Sequence, residues 1–378
     1  RALPVGQLVI GYFPMRWAIL AILAVLSGCS NRTAAPIVPS ALDIGVNKTV
    51  FVGTTRQIDD DGTFGIRRSS TLALLELQVS IPPNREIGTI SDGLDKPDPE
   101  RDFVIAQQRQ FETQAQFRTR LRQQLGRDGN ASNEVVVFVH GFNNSFADTA
   151  FRVAQLANDL DLPGSVVTYS WPSRGHPLGY EYDADSALFA RDGLQQLLEN
   201  IQAGGAKRIV LVAHSMGGRL VMETLRQLEI KEASWSHRNV SGVVLISPDV
   251  NVDVFRAQTN AFQKLPQPFI IFTSQKDVIL RLSAGLRREE ERLGNIKTVE
   301  KFDDLPILFV DISAFDDKSS GNHFVAGNSP ALLALLKSTE ALDEHFLRGD
   351  VGTLGGLPGQ RRVLRNATQI LIAPTDLR

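Results

Sequence analysis

Ser215 stands in the run RIVLVAHSMGGRLVMETL (208–225), where a β-branched apolar stretch gives way abruptly to helical spacing. The small-x-Ser-x-Gly pattern, here Ala213, Ser215 and Gly217, puts a serine on a sharp strand-to-helix turn. Such a turn lifts the hydroxyl above the sheet. The small residues on either side let strand and helix pass closely, and the helix start offers unpaired N–H groups to developing negative charge. The chemistry this suits is nucleophilic attack. A neutral hydroxyl is a poor nucleophile, so a base must lie nearby.

The available histidines are His140, His176, His214, His237, His323 and His345. His140 and His214 are expected to be hydrogen-bonded structural residues. No His, Cys, Asp and Glu grouping has metal-ligand spacing, so the chemistry is expected to need neither metal nor cofactor. Asp59, Asp60 and Asp61 lack the later ligands of a calcium loop, and GTLGGLPGQRR (352–362) lacks the ending of a phosphate loop.

Positioning such a serine takes a particular scaffold. Short apolar runs recur at EVVVFV (134–139), SVVTYS (165–170), RIVLVA (208–213), GVVLIS (242–247), PFIIFT (268–273) and PILFVD (306–311). Runs without polar alternation fit strands covered on both faces, and the segments between them have helical spacing. The expected fold is therefore α/β: a doubly wound, mostly parallel sheet flanked by helices. Two earlier runs, NKTVFVGTTR (47–56) and STLALLELQVSI (70–81), add N-terminal strands. RDFVIAQQRQFETQAQFRTRLRQQL (101–125) reads as an amphipathic helix, whose basic part forms a solvated face. WPSRGHPLGYEYDADSALFA (171–190) reads as a loop above the strand ends, either part of a substrate pocket or lid, or a plain connection packed through Trp171.

The N-terminus carries a different signal. Met15 and Arg16 precede the ten apolar residues WAILAILAVL, then Ser27, Gly28 and Cys29. Ten residues are too few to span a bilayer, which takes about 20. They suit a secretory leader. The ending resembles a bacterial lipobox, with lipidation at Cys29, and Ser30 after it favours the outer membrane. The expected layout is upstream residues and leader over 1–29, a tether over 30–45, a catalytic domain over 46–346 and a loosely packed tail over 347–378. Location is expected in the bacterial envelope, facing the periplasm and held to the membrane through Cys29. Cys29 is the only cysteine, so no internal disulfide forms. A net charge of −2 argues against a nucleic-acid partner.

AHSMGG (213–218) resembles the nucleophile elbow of the α/β-hydrolase superfamily, and HGFNNSF (140–146) is similar to its oxyanion loop. Together with TYSWPSRG (168–175) and IRRSS (66–70), they resemble a bacterial esterase- or lipase-like family catalogued as a domain of unknown function, number nine hundred. The superfamily order is serine, acid, histidine. By that order His140, His176, His214 and His237 come too early. His345, in ALDEHFL, lies on an expected helix surface, which leaves His323, in the loop SSGNHFVAG (319–327), as the base. Asp277, just beyond PFIIFT, is the favoured acid, and Asp249, one strand earlier in ISPD, is the alternative. The resemblance makes the N–H groups of Phe142 and Met216 the oxyanion donors. The implied activity is cleavage of small-molecule or lipid carboxylic esters. Two further readings are acyl transfer through the same residues and a non-catalytic, membrane-tethered binding protein.

Overall fold

The computed structural model describes residues 35–93, 96–127, 133–162, 165–286, 291–315, 323–333, 360–363 and 367–372. Cys29, the leader and His345 lie outside the described residues. No helix among the described residues is long and apolar enough to cross a membrane.

One sheet of 11 strands organises the chain, in the order β10-β11-β9-β8-β7-β6-β4-β5-β1-β2-β3. Its strands are β1 (Val46–Ile58), β2 (Phe64–Ile81), β3 (Val104–Gln110), β4 (Glu134–Val139), β5 (Ser165–Ser170), β6 (Arg208–His214), β7 (Val240–Ile246), β8 (Phe269–Thr273), β9 (Leu308–Asp311), β10 (Gln360–Val363) and β11 (Thr368–Leu371). From β11 across to β1 every neighbouring pair runs parallel; β10 at one edge and β2 and β3 at the other are antiparallel.

The unbroken apolar runs have a simple cause. In β4 every residue is buried, but Val135, Val137 and Val139 join the core on one face while Val136 and Phe138 join the core on the other. The first face is covered by α1 (Gln114–Arg127), α4 (Arg191–Ala203) and α5 (Met216–Lys231), and the second by α2 (Phe146–Asp159). This is the doubly wound arrangement, with polar strand ends left for a site. Remaining helices are α3 (Tyr180–Phe189), α6 (Trp235–Asn239), α7 (Val252–Thr259), α8 (Val278–Leu286) and the single turn α9 (Val325–Asn328).

Three expectations are corrected. The helix expected over 101–125 begins only at Gln114; Val104–Gln110 is a strand paired to β2, with Val79 opposite Ile105. The long edge of β2 offers partners to that segment, and Phe103, Val104, Ile105 and Ala106 are buried against it. Residues 180–189, expected as loop, form α3. The tail expected to be loosely packed returns as β11, paired to β9, with Ile370 and Ile372 buried.

Candidate active site

β6 lies in the middle of the sheet, and its last residue, His214, pairs with Ile246. The chain then turns at Ser215 with φ 52° and ψ −121°, a left-handed conformation costly for a residue with a side chain. The strain is held from several sides: Ser215 N–H donates to Ile246 O (3.0 Å), and Ser215 O accepts from Gly218 N–H (3.0 Å) and Asp249 N–H (3.1 Å). A β-carbon on Gly217 would lie 2.4 Å from His140 O, and one on Gly141 would lie 2.8 Å from the Ser215 Cβ. Glycine at both positions lets the loop after β4 rest directly on the turn. Met216, as the first residue of α5, has an N–H with no acceptor inside the helix. Phe142 follows Gly141 on the adjoining loop, and Met216 follows Ser215 in the chain.

Asp277 and His323, far apart in sequence, are hydrogen-bonded: His323 Nδ1 lies 2.8 Å from Asp277 Oδ2. Asp277 is fully buried beyond β8, and its Oδ1 accepts the Leu280 N–H (2.9 Å) at the start of α8. That second bond leaves the carboxylate little freedom to turn away. The other ring nitrogen, His323 Nε2, is buried with no hydrogen-bond partner among the described residues, Ser215 Oγ included. Burying an unpaired imidazole nitrogen is costly, and a ring poised to receive a proton is one reason to keep it.

His214 links the turn to the loop that carries His323. Its Nε2 lies 3.2 Å from His323 O, and because a carbonyl only accepts, Nε2 carries the proton. The two imidazoles stand 4.6 Å apart, centre to centre. Phe324 packs edge-on against His214 (4.4 Å), with the Arg152 guanidinium 4.6 Å from its ring centre. Arg152 also donates to Asn328 Oδ1 (2.8 Å), so α2 and the serine turn hold the loop of His323 between them.

His140 has a structural setting. Its ring stacks on Trp171 (4.6 Å, 7° between planes), and Trp171 Nε1–H donates to His140 O (2.8 Å). Burial, with the Arg56 charge adding to it, pushes the His140 imidazole down to about 3. Burial, then the neighbouring His323, also lowers His214 well below the usual histidine value. Both rings therefore stay neutral when folded and become protonated when unfolded. Stability from these rings is complete above about pH 6.5 and is lost as pH falls toward their folded values. Between pH 6.5 and 4.5 the free energy of unfolding should drop with a slope approaching about 1.4 kcal/mol per pH unit for His140, and His214 shifts it in the same direction. Thermal melts across that range check this; a flat melting temperature would contradict it.

Asp249, the alternative acid, is engaged elsewhere. Its carboxylate accepts from Arg292 Nε (2.7 Å), Tyr180 OH (2.7 Å) and Ser283 Oγ (2.8 Å). Burial alone would raise this carboxyl, but the Arg292 guanidinium and the two hydroxyls outweigh it and hold it below the usual carboxylate range. Asp249→Ala would strand a buried guanidinium. It should lower stability by about 3–5 kcal/mol in chemical denaturation, while Ser215 in the folded fraction still reacts with an acylating probe. A stable variant with an inert serine would return the acid role to Asp249.

The sequence reading missed Arg56, Asp183 and Arg292, all buried charges near this site. The only clue was a charged residue ending an otherwise uncharged run, as Arg56 ends TVFVGTTR within β1. Among the described residues, no group of three or more His, Cys, Asp or Glu residues is arranged to hold a metal ion.

A family profile described as "Alpha/beta hydrolase of unknown function (DUF900)" matches residues 110–339. No curated protein matches the chain. Similar solved structures include lipase B of Aspergillus fumigatus, at 15% identity and TM-score 0.40, covering 60% of this chain and 56% of the lipase. The chain therefore spans little more than half the length of that lipase. The predicted CIB-like hydrolase of Thermoplasma acidophilum has 14% identity and TM-score 0.35, covering 82% of this chain and 98% of its own. An esterase of Pyrococcus furiosus has 12% identity and TM-score 0.30, with 74% and 86% covered. The family profile spans more than half of the chain, through the serine turn, Asp277 and His323, and the protein belongs to the alpha/beta hydrolases of unknown function (DUF900).

Proposed function

We propose that this protein is a serine hydrolase that cleaves carboxylic esters through an acyl-enzyme on Ser215. The observation that carries the reading is the buried His323–Asp277 hydrogen bond, beside a strained serine turn, with His323 Nε2 unpaired among the described residues. Ser215 Oγ attacks the ester carbonyl carbon as its proton passes to His323 Nε2. Asp277, on Nδ1–H, holds the ring in the tautomer that can accept it and stabilises the resulting imidazolium. Negative charge on the carbonyl oxygen meets the N–H groups of Phe142 and Met216. As the tetrahedral intermediate collapses, the C–O bond breaks and the alcohol leaves with the proton from Nε2. Water then gives a proton to the same nitrogen, attacks the acyl carbon and releases the acid, and Ser215 recovers its hydrogen. Catalytic hydrogen bonds often tighten only when substrate is bound, so an open Ser215–His323 contact fits the unliganded site.

Acyl transfer to an added alcohol uses the same residues, and no observation favours it over water. Nor does any observation favour a tethered binding protein. Envelope location and the anchor at Cys29 belong to this proposal as well.

Incubation with a fluorophosphonate probe and peptide mass mapping tests the reading. The expected result is one adduct, on Ser215, together with turnover of short-chain p-nitrophenyl esters. A folded protein that neither reacts nor turns over esters would defeat it.

A further inference from the structure

Arg56 is 1% exposed, at the far end of the N-terminal hairpin, outside the matched residues 110–339. It sits where the β1–β2 register slips, with Thr54 Oγ1 accepting the Arg56 N–H (3.0 Å) while donating to Ser170 O (2.6 Å). The guanidinium is spread over four neutral acceptors. Nε donates to Ser170 Oγ (2.9 Å), Nη1 to Gly65 O and Ser173 O (each 3.0 Å), and Nη2 to Asn144 O (2.8 Å). Burial lowers the Arg56 pKa to about 10 against the pull of Asp183, Asp148 and Tyr182. Taking a cation out of water is costly, and these hydrogen bonds offset that cost.

Three segments meet at this one group: the hairpin, the loop after β5, and the oxyanion loop 140–146. The oxyanion loop is tied at consecutive residues. Asn143, at φ 59°, donates its N–H to Asp183 Oδ2 (3.1 Å), and Asn144 donates its N–H to Ser173 Oγ (3.1 Å). Ser173 Oγ–H in turn donates to Asp183 Oδ2 (2.6 Å). Gly141, on the other side of Phe142, rests on Ser215. The Phe142 peptide is therefore held between a contact with the serine turn and two anchored residues.

We propose that Arg56 is a positioning residue for the oxyanion loop: its fork clamps Asn144 and Ser173 together, fixing the direction of the Phe142 N–H. The hairpin that carries it is then part of the working site rather than an appendage. The effect on turnover rests on the ester-hydrolase reading; the effect on the loop does not. Lysine cannot replace the fork, because its single ammonium cannot reach four acceptors spread over a plane.

The test compares the full chain with Arg56→Lys and Arg56→Met by hydrogen–deuterium exchange over residues 139–146 and by ester kinetics. Exchange at residues 141–144 should speed up by about tenfold or more in both variants, more than elsewhere in the sheet. Turnover should fall by about 100-fold, with KM changed by less than about threefold, as for loss of one oxyanion donor. Should neither variant fold, Asp183→Asn loosens the same loop from its other side, and the same pattern is expected. Unchanged exchange at 141–144 in a folded variant overturns the proposal whatever the kinetics. Faster exchange in a protein whose wild type hydrolyses no ester sustains the clamp and sinks only the ester reading.

Discussion

Replacing Ser215 by alanine should abolish fluorophosphonate labelling and lower kcat on a p-nitrophenyl ester by about 10⁴- to 10⁶-fold. The side chain contributes its whole reactive group, and no other hydroxyl sits on the strained turn. The fold should tolerate the change. The strained φ of 52° is set by backbone hydrogen bonds to Ile246 O, Gly218 N and Asp249 N, none of which uses the serine Oγ. Binding should survive too, because the oxyanion donors are backbone groups that alanine leaves in place. Steady-state kinetics and a melting curve on the purified variant check both halves. Residual activity above about 1% of wild type would show that another group attacks the substrate.

Asparagine at position 277 should cost about 10⁴-fold in kcat with little change in KM. The substitution keeps the shape of the side chain and its Oδ1 contact with the Leu280 N–H, so α8 should start as before. What changes is the partner of His323 Nδ1. An amide facing it can turn its NH₂ toward Nδ1, which favours the tautomer with the proton on Nε2. A ring protonated there cannot accept the serine proton. The lost carboxylate also leaves the imidazolium without a counter-charge in a buried site. A pH–rate profile separates this account from simple misfolding: activity should recover in part at high pH, where hydroxide relieves the need for a base. A variant within tenfold of wild type would mean that another carboxylate orients the ring. Asp249 is poorly placed for that, being held by Arg292, Tyr180 and Ser283.

Much of this was legible from local patterns. β4 to β8 appear as apolar runs because both faces of a central strand are buried, and burial on both faces leaves a one-dimensional trace. The serine turn was legible because its steric demands fall on near neighbours, Ala213 and Gly217. The strand at 104–110 was not. FVIAQQRQ satisfies helical and extended patterns alike, and it is extended because β2, at 64–81, has an edge to fill. Residues 367–372 were equally hidden, since a short apolar segment after a glycine-rich stretch becomes a strand only when β9 offers it a place.

The amino-acid order alone, with the resemblance it carries, was enough for the doubly wound sheet, the serine at a strand end, and the expectation of His323 with an aspartate from one of two strand ends. These rest on short-range sterics and on the order of a few chemically distinctive residues. Tertiary structure alone decided between Asp277 and Asp249 as neighbour of the His323 ring, because both end buried strands and only three-dimensional reach tells them apart. It also decided that Arg56 lies against the loop 140–146, 88 residues from Asn144 in sequence and 2.8 Å away in space. A hydrogen bond depends on distance through space, which sequence separation does not record.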